Sequence, residues 1–175
     1  MQIDILQADI TLLNVDAIVN AANNTLLGGG GVDGAIHHAA GKELLAECRL
    51  LNGCETGQAK ITKGYNLLAR YIIHTVGPVW RDGHNNESLL LASCYRECMK
   101  LAKLHKLSSI AFPAISCGIY GFPITKACDI AINEVLIAAQ DTTLDRIVFA
   151  CFNNTTKNAL RASLGSYSTA IYRPN

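Results

Sequence analysis

The chain has 175 residues and a mass of 18.8 kDa, the size of one domain, which leaves no room for a second hydrophobic core. Its 15 Lys and Arg against 14 Asp and Glu give a net charge of +1, which argues against a protein that coats nucleic-acid duplexes with clustered cations. Half of the residues are hydrophobic, yet no apolar run reaches the ~20 residues of a membrane helix, so we expect a soluble protein with no membrane partner.

Hydrophobic periodicity predicts strands and helices in alternation. In chain order the pattern predicts strands over 1–10 and 17–20, helices over 32–40 and 42–51, strands over 60–62 and 71–76, a helix over 88–107, a strand over 109–113, a helix over 123–139, a strand over 146–152 and a helix near 156–164. Gly41 separates the first two helices, and Pro123 stands in the first turn of its helix.

This alternation predicts an α/β domain. Several strands are apolar throughout, which is typical of a sheet covered by helices on both faces, so we expect three layers. One domain should span residues 1–175. The polar segment 165–175, with Tyr167, Ile171 and Tyr172 interspersed, fits an edge strand, a packed tail or a disordered end equally well.

Seven cysteines are spread along the chain without a CxxC pair, at positions 48, 54, 94, 98, 117, 128 and 151. An odd number without paired spacing is atypical of a secreted disulfide scaffold and predicts reduced thiols in the cytoplasm. Residues 1–4 lead directly into a strand pattern and show no signal peptide. Cys94 and Cys98 have the spacing of half a metal site, but nothing completes it, so we expect them in the core.

Two loops that follow predicted strands are rich in small residues. The first, residues 20–34, contains four successive glycines, which let backbone N–H groups converge and which lead into the N-terminus of a helix. The second, residues 113–123, repeats the order of strand, small-residue loop and helix start. Each alone fits a plain connection. Two of them at equivalent strand ends, where α/β sheets bind ligands, indicate a site for an anion such as a pyrophosphate.

Other phosphate-binding motifs fit the first loop less well. Residues 29–34 match GxGxxG, but roughly eight residues separate the strand from the first glycine, whereas a Rossmann site needs a tight turn. Asp33 would also place a carboxylate beside the pyrophosphate of that site. A P-loop is excluded because GxxxxGK[ST] does not occur.

Two polar residues in the first loop have both a structural and a functional interpretation. Asp33 is either a helix-start aspartate that satisfies free N–H groups or a catalytic carboxylate. Asn23 either forms a local Asx turn or fixes a sugar hydroxyl or a water. The five histidines, at positions 37, 38, 74, 84 and 105, are each more often structural, and we assign none of them to the site.

These residues together resemble the macrodomain family, in its MacroD-type hydrolase branch. The resemblance is carried by residues 20–23, 28–37 and 116–121, and it extends from residue 9 to residue 152. It implies a three-layer α/β/α fold with a mixed, mostly parallel central sheet, and a cleft for ADP-ribose. It implies no cofactor and no metal.

The resemblance also implies which residues contact ADP-ribose. Asp9 would accept a hydrogen bond from the adenine amino group, Ile10 would offer its backbone N–H to the ring, and Phe152 would lie against the base. Asn23 and Asp33 would face the distal ribose. Seven residues would hold the diphosphate: Gly31 and Val32 on one side, and Ser116, Cys117, Gly118, Ile119 and Tyr120 on the other.

The implied reaction is hydrolysis of an ester on the distal ribose. It would release ADP-ribose from acidic side chains of mono-ADP-ribosylated proteins and would deacetylate O-acetyl-ADP-ribose. In this reaction Asn23 would orient the ribose and a water, Asp33 would act as general base or orient the sugar, and Tyr120 would close over the reacting end. Ala8 and Asn153 depart from the family's usual residues, and both lie at the adenine end.

The main alternative is a non-catalytic module that binds ADP-ribose. The pair of Asn23 and Asp33 favours the hydrolase, because a binding module does not need a carboxylate at the distal ribose. An RNA-associated protein is disfavoured because the sequence has no basic stripe and no aromatic stacking platform. We expect a monomer whose partners are ADP-ribose, its esters and mono-ADP-ribosylated proteins.

Overall fold

A computed structural model describes the backbone of residues 1–171 and the side chains of residues 1–168. Its six strands form one sheet: β1 (Gln2–Gln7), β2 (Ala17–Ala21), β3 (Ala59–Lys63), β4 (Tyr71–Thr75), β5 (Ser109–Phe112) and β6 (Arg146–Cys151). The strand order is β1-β6-β5-β2-β4-β3, and only β3 pairs antiparallel with its neighbour. The sheet is therefore mixed and mostly parallel.

Five α-helices cover the two faces of this sheet: α1 (Gly31–Ala40), α2 (Lys42–Leu50), α3 (Glu87–Leu104), α4 (Ile124–Ala139) and α5 (Asn154–Ile171). Helices α1 and α2 pack on one face, while α3, α4 and α5 pack on the other. This confirms the predicted three-layer α/β class. Within the described part of the chain, no helix is both long enough and apolar enough to cross a bilayer.

Alternation along the strands divides the interior into two cores. In β2, Ile18 belongs to the core under α1 and α2, whereas Ala17 and Val19 belong to the opposite core. The larger core contains Phe112, whose ring lies 5.5 Å from that of Tyr95 and 5.9 Å from that of Phe149. These rings fix the carboxyl end of β5, from which the second small-residue loop departs.

Two predicted elements differ from the structure at their ends. The first strand ends at Gln7, because the Asp9 carboxylate caps a short 3-10 helix, Ile10–Leu12, by accepting from the Thr11 amide at 2.9 Å. The last helix is longer than predicted and continues through most of the segment left open above. Tyr167 packs against the larger core, so residues 165–171 form neither an edge strand nor a loose tail. Residues 172–175 lie outside the described residues.

All seven cysteines are free thiols. Six are buried, and Cys117 is half-buried in the second small-residue loop. Cys94 and Cys98 lie in the larger core, which confirms the prediction of their packing there.

Candidate functional site

The carboxyl ends of the four neighbouring parallel strands β1, β6, β5 and β2 meet at one edge of the sheet. The loops that leave these ends enclose a cleft of about 920 Å³. A cleft of this size at strand ends accommodates a dinucleotide-sized ligand. All twelve residues predicted for the site line it: Asp9, Ile10, Asn23, Gly31, Val32, Asp33, Ser116, Cys117, Gly118, Ile119, Tyr120 and Phe152.

The glycine loop delivers the open N-terminus of α1 to the cleft. Gly28 and Gly31 have φ angles of 91° and 56°, a conformation that disfavours residues with a side chain. Gly30 is the N-cap residue, and no side chain caps the helix. A Cβ atom added at Gly30 or Gly31 would have no neighbour within 4 Å, so a ligand can reach the first N–H groups of α1. These groups, together with the helix dipole, attract an anion.

The second loop presents backbone N–H groups from the opposite side of the cleft. It is held in shape by internal hydrogen bonds, among them one from the Phe122 amide to the Ser116 carbonyl at 2.9 Å. The amides of Gly118, Ile119 and Tyr120 have no acceptor among the described residues. Three successive N–H groups without an acceptor are available to an anion. Both loops line the cleft, and together they offer backbone N–H groups suited to a diphosphate.

Asp33 is buried on the cleft side of α1, with 4% of its surface exposed. Its Oδ1 accepts a hydrogen bond of 2.8 Å from Asn20 Nδ2 and lies 3.5 Å from His37 Nε2, one turn further along the helix. Its Oδ2 points toward Gly29, where a Cβ atom would approach it to 3.1 Å. One carboxylate oxygen is therefore fixed by the protein, while the other faces the loop that borders the cleft.

Asn23 uses its amide within its own loop. Its Nδ2 donates to the Gly28 carbonyl at 2.9 Å, and its Oδ1 accepts from the Thr25 amide at 3.2 Å and from the Thr25 hydroxyl at 2.6 Å. This is the local turn geometry that the sequence left open as one interpretation. The same Nδ2 lies 3.2 Å from the position of a Cβ at Gly29, on the side that Asp33 also faces. The two residues therefore flank the same point of the loop.

The far end of the cleft combines a polar group with an exposed ring. Asp9 Oδ1 accepts from both the amide and the hydroxyl of Thr11, and the amide of Ile10 has no acceptor among the described residues. Phe152 is 95% exposed at the end of β6. Asn153, one of the two departures from the family pattern, accepts from the Thr156 amide at 2.9 Å and thus caps α5.

Three residues behind Asp33 were not predicted for the site: Cys48 and His74, which are buried, and His37, which is half-buried. His37, Cys48 and His74 place potential metal-ligand atoms within 4.8 Å of one another. Both ring nitrogens of His74 already face hydrogen-bonding partners, Asn20 Nδ2 at 3.1 Å and Thr62 Oγ1 at 2.9 Å. Burial, reinforced by the neighbouring His37, lowers the pKa of His74 to about 3. His74 is therefore a neutral imidazole near pH 7.

We expect Gly77→Ala to lower the free energy of unfolding by about 1–3 kcal/mol, because it overpacks the floor of the cleft. The added Cβ would lie 2.2 Å from Ser116 Oγ and 2.7 Å from Ile115 Cγ2. Ser116 cannot easily move, since it is buried with a φ of 63°. Urea denaturation measures the change, and Gly118→Ala is the matched control because its Cβ has nothing within 4 Å. Equal stability of the two variants would contradict the expectation.

Comparison with known proteins connects this cleft to a family. The Macro domain family model matches residues 19–131 of the chain. A macro domain-containing protein of Ralstonia nicotianae is 59% identical over 166 residues, which cover 95% of this chain and 92% of that protein. The human ADP-ribose glycohydrolase MACROD2 is 57% identical over 155 residues, which cover 86% of this chain and 36% of that longer protein.

Solved structures share the fold. The Oceanobacillus iheyensis macrodomain with ADP superimposes with a TM-score of 0.90 at 42% identity, covering 95% of this chain and 91% of that one. The Trypanosoma brucei macrodomain in complex with ADP-ribose superimposes with a TM-score of 0.87 at 44% identity, covering 93% of this chain and 69% of that one. The chain belongs to the macrodomain family and is of the MacroD type.

Proposed function

We propose that the protein hydrolyses esters at the distal ribose of ADP-ribose. Its substrates are proteins that carry mono-ADP-ribose on acidic side chains, and O-acetyl-ADP-ribose. The observation that carries the proposal is the buried Asp33 carboxylate, which lines an ADP-ribose-sized cleft beyond two anion-binding loops. The name of the relative MACROD2, an ADP-ribose glycohydrolase, supports the same class of reaction.

The cleft has a separate region for each part of the substrate. The adenine base lies against Phe152. Its amino group donates to Asp9, and its ring accepts from the Ile10 amide. The diphosphate lies between the N-terminus of α1 and the three free amides of residues 118–120. The distal ribose then reaches the point of the glycine loop that Asn23 and Asp33 flank.

Hydrolysis at this ribose consumes one water and divides the ester into two products. The water oxygen ends on one product and its protons are shared between the two, so a group must accept a proton as the attack proceeds. Asp33 takes that proton or orients the sugar, Asn23 orients the ribose and the water, and Tyr120 closes over the reacting end. The Tyr120 carbonyl accepts from the Trp80 amide at 2.8 Å, which holds this residue beside the cleft.

A second function, binding of ADP-ribose without turnover, is favoured by one observation. Every hydrogen bond that the structure shows for the Asn23 side chain, from Nδ2 to Gly28 and from Thr25 to Oδ1, lies within the glycine loop itself. A residue with this arrangement could shape the loop and do nothing more. The hydrolase remains the preferred function, because the buried charge of Asp33 is not needed for binding a dianionic ligand.

The deciding experiment follows ADP-ribose by chromatography after adding O-acetyl-ADP-ribose or ADP-ribosyl-glutamate, with and without a chelator. Release of ADP-ribose by the wild type, unchanged by the chelator, supports the hydrolase. Asn23→Ala and Asp33→Ala serve as variants that should lose most of the rate while they still bind ADP-ribose in a calorimeter. Tight binding by the wild type with no product from either ester would identify a binding module instead.

We expect Phe152→Ala to weaken ADP-ribose binding by about tenfold, because stacking of a base on an aromatic ring contributes roughly 1–3 kcal/mol. Stability should not change, since the ring is 95% exposed. Titration calorimetry measures the affinity, with Phe152→Tyr as the control that keeps a ring. Ribose 5-phosphate, which has no base, should bind the wild type and Phe152→Ala equally, and a loss there would count against stacking.

A further inference from the structure

A chain of buried polar side chains runs from Asp33 into the sheet. Asn20 in β2 and His74 in β4 are register partners with no exposed surface, and Thr62 in the edge strand β3 is 3% exposed. Asn20 Nδ2 lies 2.8 Å from Asp33 Oδ1 and 3.1 Å from His74 Nδ1. On the other side of the ring, His74 Nε2 lies 2.9 Å from Thr62 Oγ1. Neither His74 nor Thr62 lines the cleft. Each therefore acts on the site only through its neighbours.

The charge of Asp33 fixes the direction of the first two hydrogen bonds. An ionised carboxylate only accepts, so Asn20 must turn its Nδ2 toward it. The same Nδ2 faces His74 Nδ1, so its second hydrogen points there and Nδ1 must offer a lone pair. Asn20 Oδ1 has no partner among the described residues, so both hydrogen bonds of this amide are made by its nitrogen.

The remaining bonds continue in the same direction. A neutral imidazole with a lone pair on Nδ1 carries its hydrogen on Nε2, and it donates that hydrogen to Thr62 Oγ1. The Thr62 hydroxyl in turn donates to the Lys63 carbonyl at 3.1 Å. Cys48 Sγ lies 3.9 Å from Nε2, but burial raises the pKa of this thiol to about 11, so it brings no charge.

We propose that His74 and Thr62 are positioning residues for hydrolysis, which fix the Asn20 amide so that it holds Asp33 in its reactive orientation. The proposal rests on the proposed function. With the hydrogen on Nδ1 instead, His74 would point a donor at the donor Nδ2 of Asn20. The Asn20 amide would then have to turn and present its oxygen to the Asp33 carboxylate, which would repel it.

Thr62 offers the cleanest test, because it lies farthest from the cleft. Thr62→Val keeps the shape of the side chain and removes the acceptor for His74 Nε2–H, whereas Thr62→Ser keeps that acceptor. Thr75→Val is the matched control: it also removes a buried threonine hydroxyl, which lies in β4, donates to the Gln58 carbonyl and is not part of this series of hydrogen bonds. Steady-state kinetics, ADP-ribose affinity and unfolding midpoints are measured for all three.

A structural role and a positioning role give different results. We expect Thr62→Val to lower kcat roughly tenfold while ADP-ribose affinity stays within about twofold, and Thr62→Ser to restore most of the rate. Thr75→Val should lose similar stability without this loss of kcat. A kcat of Thr62→Val equal to that of the Thr75→Val control overturns the proposal.

The tautomer of His74 gives a second readout that does not depend on turnover. Long-range proton–nitrogen NMR spectra of protein with 15N-labelled histidine should show the hydrogen of His74 on Nε2, with the signals assigned by their loss in His74→Gln. Thr62→Val should shift them. A hydrogen on Nδ1 in the wild type overturns the proposal even if the enzyme is active. A wild type that releases no ADP-ribose overturns the proposed function, whatever the NMR spectra show.

Discussion

Replacing Asp33 by asparagine should lower kcat by about 10²–10⁴-fold, the usual contribution of a general base or a comparable group at the reacting centre. The exchange is nearly isosteric, and the new Oδ1 can still accept from Asn20 Nδ2, so the fold and the ADP-ribose affinity should persist. What disappears is the negative charge at the position proposed for the distal ribose. Turnover of O-acetyl-ADP-ribose, measured with saturating substrate, reports the change.

The pH profile of this variant separates the two roles of Asp33. If Asp33 accepts the proton of the water, the acidic limb of kcat in the wild type is absent from Asp33→Asn. If it only orients the sugar, the limb stays and the whole curve is lower. Asp129→Asn, at an exposed position of α4, is the control for the loss of a carboxylate. An Asp33→Asn variant with wild-type kcat would refute the catalytic role.

Acidification should unfold the protein partly through His74. The pKa of this residue is about 3 in the fold, because it is buried and lies near His37, against about 6.5 in an unfolded chain. Between these two pKa values the unfolded chain binds one proton more than the folded chain. The contribution of the neutral ring to the free energy of unfolding is therefore complete above about pH 6.5 and is lost as the pH falls. The slope is about 1.4 kcal/mol per pH unit, or roughly 3 kcal/mol between pH 7 and pH 4.

Urea denaturation at pH 7, 6, 5 and 4 measures this contribution. Asp4 and Asp16 also have lowered pKa values, because Asp4 accepts from Gln2 and Arg146 and Asp16 accepts from the Ser108 amide and Arg70. Both add to the acid sensitivity of the wild type. The comparison is therefore the difference in slope between the wild type and His74→Gln. His84→Gln, in an exposed loop, controls for the loss of a histidine. Parallel slopes for the wild type and His74→Gln would contradict the prediction.

The layers could be predicted from the sequence because hydrophobic periodicity is a local property. β2, β4 and β6 lie within one or two residues of their predicted bounds, since each is a short apolar run with a clear end. The ends failed where side chains override periodicity. Asp9 ends the first strand because its carboxylate accepts a hydrogen bond from the Thr11 amide. Helix α5 continues past Gly165 because Tyr167 packs against the larger core.

The cleft was predictable for the residues that belong to its loops, and not for those that support them. Asn23 and Asp33 share one segment with the glycines, so one motif brings them together. Asn20, Thr62 and His74 come from three strands, and only the sheet pairing places them in a row. A single sequence shows no pattern from which the two hydrogen-bonding partners of the buried His74 ring could be predicted.

The buried cysteines can report how often each part of the protein opens. A thiol reagent attacks an exposed thiolate, and burial both shields the sulfur and raises its pKa, to about 12 for Cys128. Cys48, Cys98, Cys128 and Cys151 lie in α2, α3, α4 and β6, on both sides of the sheet. Their rates of labelling under native conditions therefore report, without any engineered residue, which layer separates first and how often.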